Sequence, residues 1–458
     1  MLRRLRLRPR PLLDHDARYV SYSFDARPLE LSATGQSGRV VFGANVAAAR
    51  LGALSCASGM RKVLLVRDRE AAAASRARFI EFLLLNVGVP CFQFTLGRDC
   101  ATVEGVDQAV AMAQRVGADS VVAFGGGSTM DMARAVAVVM AKGGKAVDYM
   151  TFGTEGSDDD ERADLKLLQE NLETAPLLLV PTIAGSGAEV ANRTLLLDEA
   201  RETKELFAAG RAIVPEAVVV DPTLMLTVPL CVTVQGALTA LGQCLESYLL
   251  GGADDDLALE GLEVVAGALG ALTTQEKLDV KATALREQLA LGSVLSGIAT
   301  NSSGAGAAQA LAVSTGGISD MPHGQVATVF LPFVFDRYAE LVDENKGDPF
   351  FDELGEKLEN AADRLTAASG LKGADIAAWL RYVIAHFDLP TASTLELDEE
   401  LLNGLTDRAT QYQDELMKVC RSDGNGAIME KDDLRAIIDR AVLVLEPFKA
   451  AGETRDLQ

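Results

Sequence analysis

Histidine is almost absent from this chain: three among 458 residues, His15, His323 and His386. So few imidazoles leave little material for a histidine-rich metal centre. Paired cysteines are missing as well. Cys56, Cys91, Cys100, Cys231, Cys244 and Cys420 are scattered, with no C-x-x-C. That argues against a disulfide framework or a cysteine zinc site and fits reduced thiols in an intracellular protein. No run of roughly 18 apolar residues occurs, so no transmembrane helix and no membrane insertion is expected. Positive charge is in deficit, with 43 Lys+Arg against 65 Asp+Glu, a net charge of −22. Such a surface repels a phosphate backbone and anionic lipid, which argues against nucleic acid and acidic membranes as partners.

What is present is ordinary globular material, 48% apolar and 24% charged, in a chain long enough for two or three domains. The first residues depart from it. Met1–Leu13 holds five arginines and no acid, the first acid being Asp14. An Arg-rich, acid-poor start resembles an organelle transit peptide, mitochondrial more than plastid because serine is scarce. A basic docking arm in a cytoplasmic protein is the alternative.

The first half alternates strand and helix. Apolar runs at Val63–Val66, Pro90–Phe94, Ser120–Phe124, Leu177–Val180 and Val218–Val220 read as strands, with helices over about 71–87 and 106–116. That alternation predicts a parallel sheet covered on both faces. From about Pro229 the strand pattern stops, and long Ala/Leu/Glu-rich segments predict helix to the end. Residues 151–174 form a polar, acidic insert, read as an exposed loop with some helix. The resulting division is a basic arm over 1–38, an α/β domain over 39–222 and a helical domain over 223–458.

Val121–Asp131 carries the clearest chemistry: Val-Val-Ala-Phe-Gly-Gly-Gly-Ser-Thr-Met-Asp. A buried strand, a glycine turn and a helix start make an anion cradle, because glycines admit a phosphate close to the backbone and the free N–H groups of the helix face it. The run points to a bound nucleotide.

Three further patches accompany it: Pro181-Thr182-Ile183-Ala184-Gly185-Ser186-Gly187-Ala188-Glu189-Val190, Asp221-Pro222 with Val228-Pro229 downstream, and Pro322-His323-Gly324. Together the four patches resemble the iron-dependent (group III) alcohol dehydrogenases, in the superfamily that includes dehydroquinate synthase and glycerol dehydrogenase, over about residues 39–442. The resemblance implies an α/β + α fold: an N-terminal Rossmann-like dinucleotide-binding domain, an all-helical C-terminal domain, and an active site in the cleft between them. It implies that Gly125, Gly126, Gly127 and Ser128, with Asp131 one turn on, form the pyrophosphate loop, and that Thr182 lies near the nicotinamide side. Ile183 stands where the family often has a second threonine. Asp68, after the first strand, is placed to accept from an adenosine ribose and to repel a 2′-phosphate, which favours NAD over NADP.

In this family a divalent metal polarises the alcohol oxygen, and the resemblance implies an Asp-x-x-x-His pair on one helix, a His on a second and the His of Pro-His-Gly. Here the four positions hold Thr239, Gln243, Gln309 and His323, and Val313 replaces a further active-site His. Amide and hydroxyl oxygens bind transition metals poorly without anionic or imidazole partners, so no metal is expected. A second ion-binding signal, Asp423-Gly424-Asn425-Gly426-Ala427-Ile428, resembles the middle of a calcium loop, but its first ligand position is Arg421. The family's usual turn followed by an acidic helix explains it better.

Two functions compete. One is a pseudoenzyme that keeps the fold and the cofactor loop as a structural or regulatory subunit, a homodimer or part of a larger assembly. The other is a metal-independent NAD-linked oxidoreductase acting on a small alcohol, aldehyde or keto acid, with His323 as the proton donor. A lyase of the dehydroquinate synthase type would also need a metal.

Overall fold

The computed structural model describes residues 29–32, 39–150, 173–208, 213–274, 283–304, 306–318, 321–390, 399–420 and 428–443. The basic arm over Met1–Leu13, nearly all of the acidic insert and the calcium-loop-like turn lie outside the described residues.

The N-terminal half folds as β1 (Leu29–Ser32), β2 (Arg39–Phe42), α1 (Val46–Ala57), β3 (Val63–Arg67), α2 (Ala71–Leu85), β4 (Cys91–Thr95), α3 (Val103–Val116), β5 (Ser120–Gly125), α4 (Gly127–Lys142), β6 (Leu177–Pro181), β7 (Leu195–Asp198), β8 (Thr203–Leu206) and β9 (Ala217–Val220). Seven strands form one sheet in the order β1-β2-β9-β6-β5-β3-β4. Only the β1–β2 pair is antiparallel. Strands β5, β6 and β9 are buried at every position, which is why they read as unbroken apolar runs. β7 and β8 form a separate hairpin.

Chain direction explains where a ligand belongs. From β3 the sheet grows outward to β4, then reverses through β5, β6 and β9, so the switch point falls between β3 and β5. Register aligns Arg67 with Phe124 and Gly125 with Pro181. The residues just beyond these strand ends, Asp68, Gly126 and Thr182, therefore emerge side by side.

After β9 the described elements are helical: α5 (Leu230–Leu250), α6 (Asp255–Thr274), α7 (Thr283–Ser303), α8 (Ala307–Ile318), α9 (His323–Glu344), α10 (Pro349–Ser369), α11 (Ile376–His386), α12 (Glu399–Cys420) and α13 (Lys431–Leu443). The expected α/β + α architecture is the one observed. Helix α6 is long and apolar enough to cross a membrane by composition alone. Leu262, Val265, Ala266 and Leu269 on it belong instead to the core shared with α5 and α8, so its apolarity serves packing.

Candidate functional site

At the switch point the glycine loop is open. Gly126 caps α4 with extended backbone and contributes no side chain to the first turn. A Cβ added to it would touch only Ile183 Cδ1, at 3.4 Å. Space beside this backbone is therefore free, and the first-turn N–H groups of α4 face it, as a phosphate requires. Gly125 differs: a Cβ there would collide with Thr129 and Asp68. The Asp68 carboxylate accepts the Gly126 N–H at 3.2 Å and the Thr129 hydroxyl, and burial raises its pKa. Asp68 thus braces the loop from the end of β3. Thr182, 2% exposed, donates its backbone N–H to Gly125 O at 3.0 Å. Ser128 is half-buried in the first turn of α4. Asp131 lies one turn into α4, 3.5 Å from Arg134, and also feels Lys204 and Arg193. Burial lifts its pKa to about 6 despite those cations.

The segment after β6 ties the two halves together. Ser293 of α7 accepts the N–H groups of Gly185 and Gly187 and donates to the buried Glu189 carboxylate at 2.8 Å. Arg134, fully buried, donates to the carbonyls of Ala188 and Glu189. Gly187 has φ +64 and lies directly against Gly297 of α7, a backbone-to-backbone approach that no side chain would permit.

Across the cleft, α5 supplies Thr239 and Gln243, α8 supplies Gln309 and Val313, and α9 begins at His323. The structure brings these positions together. Ser296 donates to Gln243 Oε1 at 3.2 Å, and Gln243 Nε2 donates to Gln309 Oε1 at 3.5 Å. Gln309 Nε2 lies 3.3 Å from His323 Nε2. An amide nitrogen can only donate, so His323 Nε2 accepts and its proton sits on Nδ1. Burial, with Lys204 and Arg193 nearby, pushes the His323 pKa down to about 3, so the imidazole is neutral. Thr239 spends its hydroxyl proton on Gln235 O at 2.8 Å. Val313 is buried among apolar neighbours.

Beneath this network Glu246 accepts the Ala308 N–H at 3.1 Å and the Tyr338 hydroxyl at 3.4 Å. Burial pushes its pKa up to about 7. A Cβ on Gly306 would strike the Glu246 carboxylate, so the α7–α8 turn is shaped around that group. Thr239, Gln243, Glu246 and Gln309 line a small pocket closed by Leu238 and Leu331.

Two consecutive family descriptions cover this chain. Residues 37–222 match the iron-containing alcohol dehydrogenases, and residues 233–442 match the C-terminal domain of the same family. The chain belongs to the iron-containing alcohol dehydrogenase family. Among relatives of this family member, the choline dehydrogenase of Bacillus subtilis (strain 168) is 28% identical over 359 residues, 77% of this chain and 83% of that protein. The NAD-dependent methanol dehydrogenase of Bacillus methanolicus is 26% identical over 301 residues, 63% of this chain and 74% of that protein. Solved structures share the fold. An archaeal halo-thermophilic Red Sea brine pool alcohol dehydrogenase bound to NZQ superposes with a TM-score of 0.71 at 19% identity, covering 90% of this chain and 99% of that one. The sulfoacetaldehyde reductase of Bifidobacterium kashiwanohense, in complex with NAD+, gives 0.67 at 19% identity, covering 89% and 98%.

The metal that names the family does not fit this donor set. The His323 lone pair that would coordinate it already accepts from Gln309, and the other positions offer two amides and a hydroxyl. Among the described residues no three His, Cys, Asp or Glu side chains gather closely enough to hold an ion. A dinucleotide does fit the glycine loop, where Gly126 leaves its cradle open.

Arg193, Lys204 and Ser293 were not among the residues that sequence reasoning singled out. The β7–β8 hairpin had a legible signal, Leu195-Leu196-Leu197 before an acidic turn at Asp198–Glu202, but nothing in it places Arg193 near His323.

Proposed function

We propose that this family member binds NAD in the cleft between its two halves and serves as a structural or regulatory subunit rather than as a metal-dependent dehydrogenase. The observation that carries the reading is the closed chain Ser296–Gln243–Gln309–His323 at the family's metal positions. Hydrogen bonds already engage the His323 nitrogen and both amide oxygens that would face an ion. The preference for NAD over NADP rests on Asp68 at the end of β3. The NAD-dependent methanol dehydrogenase and the NAD+-bound reductase among its relatives support a dinucleotide ligand. Homodimer formation or membership of a larger, organellar assembly belongs to the same proposal.

In the competing reading, a metal-independent oxidoreductase, His323 protonates a carbonyl. A pKa near 3 leaves that imidazole neutral, and a neutral imidazole is a weak acid. The acid needed for carbonyl reduction is therefore absent from the position expected to supply it.

The test is a titration of the purified full chain with NADH, elemental analysis, and assay of short alcohols, aldehydes and 2-keto acids with added iron or zinc. NADH should bind and turnover should be undetectable. Thr239→Asp with Gln243→His, Gln309→His and Val313→His should gain a stoichiometric metal before any turnover, because the groups orienting those ligands are themselves changed. Metal-dependent oxidation by the unmodified protein sinks the proposal.

A further inference from the structure

Strand β4 ends the sheet. It pairs with β3 on one side, and no strand among the described residues pairs with the other. Its outward N–H and C=O groups are a template for a further strand, and a solvated edge is usually guarded by charge, lysine above all, or by proline. Cys91-Phe92-Gln93-Phe94-Thr95 contains none of these.

Apolar surface gathers around this edge. Of the eleven large apolar side chains exposed among the described residues, five lie between positions 79 and 92: Phe79, Phe82, Leu85, Val87 and Phe92. That concentration is a patch rather than the usual scatter of single residues. Phe79, Phe82 and Leu85 stand three residues apart on α2 and share its outer face, Phe82 being 57% and Leu85 61% exposed. Gln93 points to the α2 side of the sheet, where it accepts from Arg67 Nε at 2.9 Å and donates to Glu81 at 3.0 Å. Alternation puts Phe92 on the other side with Phe94, which packs into the core that α3 shares. The free edge is therefore flanked by apolar side chains on both faces of the sheet.

Size and charge indicate the occupant. At about 150–250 Å² per whole side chain, the three phenylalanines alone expose roughly 250 Å². One side of a standard interface is about 800 Å², of which roughly 450 Å² is apolar. Leu85 and Val87 bring the patch close to that size. Lipid would leave the free backbone groups of β4 unsatisfied, so the edge requires a partner with a strand of its own. On a chain of net charge −22, two copies repel each other over most of their surfaces. From Val63 to Thr95, however, Arg67, Arg69, Arg76 and Arg78 offset Asp68, Glu70 and Glu81. This region can meet itself without that repulsion, and β4 paired with β4 sets no like charges opposite one another.

We propose that the β4 edge and the outer face of α2 form a docking surface for a second copy of this chain. A two-fold axis through the sheet would run the two β4 strands antiparallel and continue one sheet through both copies. It keeps both α2 helices on one face and both Phe92 side chains on the other. This rests on the homodimer reading above and names the surface that would serve it.

The test is light scattering of the full chain, of Phe82→Glu and of Phe92→Glu, with hydrogen exchange of the wild type at low and high protein concentration. Wild type should form a dimer of the 48.5 kDa chain, and the β4 amides should gain protection as concentration rises. Each variant should weaken the dimer by about tenfold or more, the scale expected for an aromatic anchor lost from an interface. NADH affinity should stay within about twofold as the control for an intact fold. A wild-type dimer that both variants leave unchanged overturns this surface while the homodimer reading stands. A wild type that is monomeric at every concentration overturns both. Wild-type binding to phosphatidylcholine vesicles, lost in Phe82→Glu and without self-association, assigns the patch to lipid and overturns the proposal. If Phe92→Glu fails to fold, Phe82→Glu and the wild-type exchange carry the same readout.

Discussion

Two neighbouring glycines separate what the fold needs from what a ligand needs. A Cβ at Gly125 meets Thr129 and Asp68, whereas one at Gly126 meets only the tip of Ile183. Gly125→Ala should therefore cost about 1–3 kcal/mol through overpacking. Gly126→Ala should shift stability by less than about 1 kcal/mol yet weaken NADH by about tenfold or more, worth roughly 1.4 kcal/mol. Thermal melts and NADH titrations of the pair check both. Glu246 gives a second prediction. Burial holds its folded pKa at about 7, above the ordinary glutamate value of 4.5, so at about pH 5–6 the native state keeps a proton that the unfolded chain releases. Stability from this group is complete below about 4.5 and is lost as pH rises through about 7. Glu246→Gln should flatten that part of the pH–stability curve, by ~3 kcal/mol at most. A curve unchanged by the substitution would show that Glu246 titrates normally.

Among the elements, β5, β6 and β9 were readable because burial on both faces makes a strand apolar throughout. The glycine loop was readable because a phosphate cradle requires glycine types in order. That Thr239, Gln243, Gln309 and His323 share one region was legible from motif spacing, and hydrogen bonds link three of the four in the fold. What escaped was tertiary. Ser293 is an ordinary serine until three residues of the Gly185–Glu189 segment converge on it, and Arg193 is an ordinary loop arginine until the fold buries it. The contact of that segment with α7 yields a prediction. A Cβ on Gly297 would press on Gly187 and come within 2.7 Å of Val190 Cγ2. Gly297→Ala should lower stability by about 1–3 kcal/mol. It should also weaken NADH, because the displaced segment begins next to Thr182 and Gly125. Denaturant unfolding and the same titration would measure the two effects, and an unaffected NADH affinity would show that the segment and the loop move independently.

For the whole molecule, a net charge of −22 means that exposed carboxylates repel one another. Salt screens that repulsion over a Debye length of about 8 Å at physiological ionic strength. The melting temperature should therefore rise between low and physiological salt, and a fall would mean that ion pairs such as Arg337 with Asp433, at 2.8 Å, outweigh the repulsion. Light scattering over the same salt range tests the proposed assembly. A species heavier than the 48.5 kDa chain is expected, and a strictly monomeric protein would remove its basis.

The hydrogen-bonded pair Gln243 and Gln309 also bears on ancestry. In the genetic code glutamine and histidine codons differ only at the third base, so each imidazole could be regained by a single substitution. Threonine and aspartate codons differ at two bases, and so do valine and histidine codons. The route back to an ion-binding centre is therefore short at Gln243 and Gln309 and long at Thr239 and Val313. A lineage that reverted the amides alone would hold three histidines without the carboxylate.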